Sequence, residues 1–200
     1  KLLNRRLSGE FFEWIHQYAY GIDGYLTSIT QPLMEGGSQI FSFDYFNRDS
    51  AAGTFISEFD QFDFQFLFKD QIITSYLEFW PKGSLRFEVK VTRNAIEEVE
   101  QVRLKFFNED GSLGFFENYK IIELAEHKPA EMSMLQFYTP YLPGHYYSDN
   151  AFTEVIVSSS FGSPQNITFS HTLDDTGNVI YERMVYEDYQ IDSWRKYTYE

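Results

Sequence analysis

The chain has 200 residues, 43% of them hydrophobic and 20% aromatic, and 16 basic against 30 acidic side chains leave a net charge of −14. That size and apolar fraction suit one domain with a real core and exclude a disordered chain, while the acidic balance argues against nucleic acid and anionic membrane surfaces as partners. With no cysteine present, disulfides, thiolate metal sites and cysteine nucleophiles are excluded as well.

In chain order, Lys1 comes first, without an initiator Met, a signal peptide or an apolar run of transmembrane length; any leader is expected to have been removed. Residues 7–18 carry Phe11, Trp14, Ile15 and Tyr18 at a spacing that suits a helix as well as a strand, so residues 1–17 are expected to be less regular than the rest. A small pattern then appears: an apolar residue, three turn residues, a glycine, any residue, an aliphatic. It reads Tyr20-Gly-Ile-Asp-Gly24-Tyr-Leu26 and returns as Phe79-Trp-Pro-Lys-Gly83-Ser-Leu85, Phe107-Asn-Glu-Asp-Gly111-Ser-Leu113 and Leu173-Asp-Asp-Thr-Gly177-Asn-Val179. Glycine reaches the positive φ that a tight reversal between strands needs.

Six glycines, Gly24, Gly53, Gly83, Gly111, Gly144 and Gly177, fall at near-regular intervals and are expected to mark turns. A second set of breakers lies midway: Gly36-Gly37, Lys69-Asp70, Arg93-Asn94, His127-Lys128-Pro129 and Gly162-Ser-Pro164. Between turns the period is two. Phe62, Phe64, Phe66 and Phe68 alternate with Gln61, Asp63 and Gln65; Leu85, Phe87, Val89 and Val91 alternate with Arg86, Glu88 and Lys90; Val102, Leu104 and Phe106 alternate with Arg103 and Lys105. One apolar and one wet face per strand is the mark of an antiparallel sheet buried on a single side. The expected fold is therefore all-β, one domain over residues 1–200. It is a long antiparallel up-and-down meander of about 10 to 13 strands, curled into a barrel-like sheet because a flat one would expose long edges.

The turns ending in Asp-Gly or Thr-Gly-Asn, with an aromatic before and an aliphatic after, resemble YD-type hairpin repeats. The tyrosine before the turn is kept at Tyr20 and becomes Phe79, Phe107 and Leu173. Over residues 18–199 the aromatic-rich chain resembles an uncharacterised family of secreted proteins or lipoproteins from gut Bacteroidetes with a porin-like β fold. The resemblance implies that fold and an exported, bacterial, lipoprotein-like protein. It brings no catalytic residues.

Motifs for chemistry are absent. His16, His127, His145 and His171 stand at no metal-ligand spacing, so no metal site is expected. The acidic pairs Glu97-Glu98, Glu109-Asp110, Asp174-Asp175 and Glu187-Asp188 lie at turns, where turn chemistry and solubility explain them. Ser158-Ser159-Ser160 lacks a nucleophile elbow, and no phosphate or dinucleotide fingerprint occurs. No cofactor and no catalytic residue is expected. The segment 136–147 is the most suggestive: Tyr138, Tyr141, Tyr146 and Tyr147 stand among two prolines and a glycine, aromatics on a stiff loop that can stack on sugar rings or anchor a partner. An integral membrane barrel is disfavoured, because Glu58 and Asp60 fall in line with the face of Phe62 and Phe68.

The expectation is a non-enzymatic exported domain, periplasmic or at the cell surface, that binds a glycan or a protein without spanning the membrane. A lipocalin-like carrier of a small apolar ligand is the alternative, and a glycoside-active enzyme with paired carboxylates is the third reading. Phe62, Phe64, Phe66 and Phe68 filling the interior would count against the carrier.

Overall fold

The computed structural model describes residues 4–8, 13–32, 37–47, 49–70, 72–130, 147–187 and 191–197. The strands are β1 (Asn4–Ser8), β2 (Glu13–Tyr20), β3 (Leu26–Pro32), β4 (Ser38–Asn47), β5 (Ser50–Ile56), β6 (Gln61–Lys69) and β7 (Ile72–Phe79). They continue as β8 (Leu85–Arg93), β9 (Val99–Phe107), β10 (Leu113–Leu124), β11 (Phe152–Ser159), β12 (Gly162–Leu173), β13 (Val179–Tyr186) and β14 (Ile191–Lys196). Each pairs antiparallel with the next, in one sheet ordered β1 to β14. The meander is thus as expected, with fourteen strands among the described residues. The additional strands have identifiable sources. Residues expected to be irregular form β1 and part of β2, paired from Asn4↔Gln17 to Ser8↔Glu13. Gly53 lies inside β5 rather than at a turn, and the chain reverses on both sides of that strand.

Gly53 is needed for a close approach. It stands across from Phe43 on one side and Phe64 on the other. A Cβ there would collide with the Ser42 carbonyl and come within 2.7 Å of the Phe64 ring. Gly144 falls outside the described residues.

The four repeated turns share one geometry. In each, the first residue after the strand exchanges backbone hydrogen bonds with the residues three and four further on, as Asn108 does with Gly111 and Ser112. Gly24, Gly83, Gly111 and Gly177 all take φ between 83° and 90°, the three-residue hairpin loop closed by a glycine bulge. Asn94 builds a fifth copy, donating to Glu98 and accepting from Glu97. Here Glu97 occupies the glycine position at φ 66°. This copy lacks the glycine that marks the other four in the sequence.

A single sheet can bury a face only by curling over it, since no helix or second sheet is present among the described residues to cover it. The sheet does curl, and its two edge strands are not paired with each other. The curl is deep enough to leave Phe66, Tyr76, Val89, Val155 and Ile167 with no exposed surface. On β6 the alternation is complete, Phe62, Phe64, Phe66 and Phe68 inside and the intervening residues out. Register carries that inner face across the sheet: Phe43 through Gly53 to Phe64, then Phe66 to Tyr76 to Val89 to Leu104. The rings form a continuous cluster. Phe55 stacks on Phe62 at 4.7 Å, Phe66 lies 4.5 Å from Tyr76, and Phe43 meets Phe64 edge-on at 5.2 Å. The opposite face is wet. Across the middle strands it presents Asp63, Gln65, Glu88, Lys90, Arg103, Lys105 and Lys120.

Candidate functional site

An up-and-down sheet has two rims. At the first lie the turns 57–60, 80–84, 108–112 and 160–161; at the second lie 21–25, 94–98, 174–178 and both feet of the connection between β10 and β11. Each rim holds polar groups that the strand alternation alone would not place there.

At the first rim the register slips between Glu78 and Phe79, and Arg86 is left with no cross-strand partner. A bulge of this kind re-aims a side chain. Arg86 therefore leaves the wet face that its parity assigns it. Its guanidinium lies 4.7 Å from the ring centres of both Phe62 and Trp80, a cation held over aromatic faces. Asp60, at the end of the 57–60 turn, takes it in a two-pronged grip at 2.8 and 2.6 Å. So the acid read as in line with the phenylalanine face does lie there, with a partner that sequence spacing could not reveal. Glu78 is the second acid on the same cation, 3.5 Å from Arg86 Nε, and accepts a 2.8 Å bond from the Tyr76 hydroxyl.

Two carboxylates share one guanidinium, and Asp60 holds it better. Burial pushes Glu78 up to about 7; the Tyr76 bond and Arg86 oppose this, and the Asp60 charge reinforces it. Burial also works against the Arg86 charge, but the Asp60 bond and the nearby Glu78 more than offset it, leaving its affinity for the proton raised. Tyr76 is pushed up by burial and by Glu78. The same motif recurs on β10, where the Tyr119 hydroxyl donates to Glu117 at 2.7 Å. Beyond Arg86 the rim continues in rings. Trp80, whose indole N–H donates to the Phe107 carbonyl, meets Phe106 edge-on at 6.1 Å. Phe106 stacks on Phe115 at 5.4 Å, and Phe115 lies 6.0 Å from Phe161. Phe161 is 79% exposed and Phe59, on the 57–60 turn, 85%.

The second rim brings distant histidines together, which spacing along the chain did not suggest. His127 packs edge-on against His171 with ring centres 4.9 Å apart. His171 Nε2 is 3.3 Å from Glu182 Oε2, and both side chains are almost fully buried. The Tyr197 hydroxyl donates to the other Glu182 oxygen at 3.2 Å. Burial, followed by the neighbouring His171, holds His127 below the ordinary histidine range. Elsewhere on this rim Tyr25 stacks on Tyr45 at 4.8 Å. Burial, with Tyr20 and Tyr25 beside it, pushes the Tyr45 phenol up to about 12. Among the described residues no group of three or more His, Asp or Glu side chains is placed to hold a metal ion.

Of the four tyrosines singled out in the sequence, Tyr138, Tyr141 and Tyr146 lie outside the described residues. Tyr147 is buried; its carbonyl accepts from Arg93 at 2.8 Å, and it lies near enough to Tyr76 to raise that phenol's pKa. His145 is likewise outside the described residues. Asp188 lies outside the described residues; Asp174, Asp110 and Glu97 sit in turns. Asp174 accepts from Thr176 and Asn178, which hold it down to about 2, and Asp110 accepts from Ser112. Glu97 pairs with Lys69 at 2.9 Å. Ser159 and Ser160 cap the 160–161 turn, accepting from the amides of Phe161 and Phe116.

No protein-family model and no curated protein matches the chain. Solved structures do. A porin-like protein from Bacteroides vulgatus ATCC 8482 is 12% identical, with 96% of this chain and 95% of that one covered and a TM-score of 0.51. A porin-like protein from Bacteroides uniformis ATCC 8492 is 18% identical, with 98% and 95% covered and a TM-score of 0.49. At 12% identity the first likeness is one of fold alone. No helix among the described residues is long and apolar enough to cross a membrane.

Proposed function

We propose that this chain is a non-enzymatic binding domain of the bacterial envelope, periplasmic or at the cell surface, that meets a glycan or protein at a rim of its curled sheet. The observation that carries this reading is the orientation of the two faces. A membrane barrel turns its apolar face outward to lipid and its polar face inward. This sheet does the reverse: rings inside, and Asp63, Glu88, Lys90, Arg103 and Lys120 outside near mid-strand. A basic side chain at that depth in a bilayer would cost about 2–4 kcal/mol, so the outward charges favour water on that side. The inward rings also weigh against the apolar carrier, because Phe62, Phe64, Phe66 and Phe68 pack upon one another where a ligand would sit.

With the interior occupied and the outer face charged, the rims remain for recognition. The first rim offers Phe59 and Phe161 to solvent, and Phe161 is continuous through Phe115 and Phe106 with Trp80 and the Asp60–Arg86 pair. Ring faces beside charged hydrogen-bonding groups suit both sugar rings and protein side chains. A glycan array, run beside capture of envelope proteins, tests the reading with wild type and Phe161→Ala. Binding weakened by Phe161→Ala supports it. Binding of an apolar small molecule in the interior, or retention of every ligand by Phe161→Ala and Phe59→Ala, would sink the rim assignment.

A further inference from the structure

The two feet of the β10–β11 connection, residues 125–130 and 147–151, cross the second rim and are fastened at both sides. On the β8 side, Arg93 Nη2 donates to the Tyr147 carbonyl at 2.8 Å and Arg93 Nη1 to the Glu97 carbonyl at 2.8 Å. On the β12 side, the His127 ring lies against His171. The feet are joined to each other by two backbone bonds, Ala125 N–H to the Ala151 carbonyl at 2.8 Å and Ala151 N–H to the His127 carbonyl at 2.9 Å. Fastening by backbone carbonyls and an arginine does not titrate in the neutral range. Fastening by a neutral imidazole does.

The surroundings of His127 are unfavourable to charge. Its Nε2 is shielded from water and has no hydrogen-bond partner among the described residues. The groups that face it are His171 from β12, backed by Glu182 from β13. Behind them stand Tyr197, following β14 and bonded to Glu182, and Arg195 of β14, which pairs with Glu182 in register. On its own segment Glu126 and Lys128 are exposed, and Asp149 on the other foot acts on Arg93. Among the described residues, the buried carboxylate of this group is Glu182, and it is engaged by His171 and Tyr197 rather than by His127.

We propose that His127 is an acid-released latch. Taking up a proton drives its ring away from His171 into water and frees the feet of the β10–β11 connection on the β12 side, while Arg93 keeps hold of Tyr147. The sign follows from linkage. A histidine held below its ordinary value of 6.5 by burial and a neighbouring imidazole binds protons more readily once released, so the released form gains as pH falls through that range. The release acts on the feet themselves, residues 125–130 and 147–151, and is independent of the rim contacts proposed above.

Amide exchange of the intact, isotope-labelled chain tests the latch. Protection at Ala125 and Ala151, corrected for intrinsic exchange, is compared at pH 7.5 and pH 5 with that at Val89 and Ile167. The expected result is a loss of protection at Ala151 on going to pH 5, with Val89 and Ile167 unchanged, and no comparable loss in His127→Gln. Equal loss in His127→Gln, or unchanged protection at Ala151, would overturn the proposal. Should His127→Gln fail to fold, ring titration of the wild type decides. A His127 proton uptake that leaves the Ala125 and Ala151 resonances in place, or that occurs above the ordinary histidine range, overturns it.

Discussion

Between β4 and β7 the inner face is made of rings: Phe41, Phe43, Phe55, Phe64, Phe66 and Tyr76 touch one another in sequence, with Gly53 leaving room for Phe64. Between β10 and β13 the same face carries Glu117, Tyr119, His171 and Glu182 among Val155, Ile167 and Phe169. Both regions are buried to a similar degree, by different means. Rings hold by shape and area, with little dependence on pH. Acids and imidazoles hold only while their partners and protons are in place. One half of the sheet should therefore respond to lost volume and the other to lost hydrogen bonds and to acid.

The largest effect is expected in the ring region. Phe66→Ala removes a fully buried ring and should lower stability by about 3–5 kcal/mol in urea unfolding, with the same loss at pH 5 and pH 8. A loss that varied strongly with pH would break the contrast. Next comes Glu78, which reaches into the ring region beside Tyr76. Its folded value of about 7 exceeds the ordinary 4.5, so the folded protein keeps a proton that the unfolded chain gives up. Its contribution is fully present below pH 4.5 and is lost as pH rises through 7, a change of about 3 kcal/mol. Glu78→Gln should flatten that part of the stability–pH curve.

In the polar region, Glu182→Leu strips His171 and Tyr197 of their acceptor and should cost about 1–3 kcal/mol near neutral pH. Unchanged stability would show that those bonds are incidental. The smallest effect tests the frame that both regions share. Gly83→Ala has open space around the added methyl, so it isolates the cost of a left-handed alanine at about 1–2 kcal/mol. The turn with Glu97 in that position already bears such a cost, and Glu97→Gly should raise the melting temperature slightly, offset by the exposed Lys69 pair.

These elements also show what the sequence could convey. Alternation on β6 and β8 placed the inner face because period-two patterning is a local consequence of the pleat. The repeated turns were legible because left-handed backbone selects glycine. Gly53 reads as a turn in the sequence because a glycine that admits a neighbouring ring looks the same in one dimension. Arg86 reads as a wet-face residue because a bulge shifts parity by one without a residue signature. The pairing of His127 with His171 depends on β10, β11 and β12 lying side by side, and no spacing along the chain encodes that.

Rings turn in and charges turn out, and the absence of native cysteine permits a direct test of that orientation by single-cysteine labelling with a polar maleimide. Asp63→Cys, Gln65→Cys, Lys90→Cys and Arg103→Cys report the outer face, with Ala51→Cys and Val89→Cys as mild probes of the inner one. The prediction is rapid labelling of the first four in buffer, unaltered by liposomes, and protection of the last two until the protein is unfolded. Labelling of the inner pair in the folded protein, or shielding of the outer four by lipid, would contradict the account.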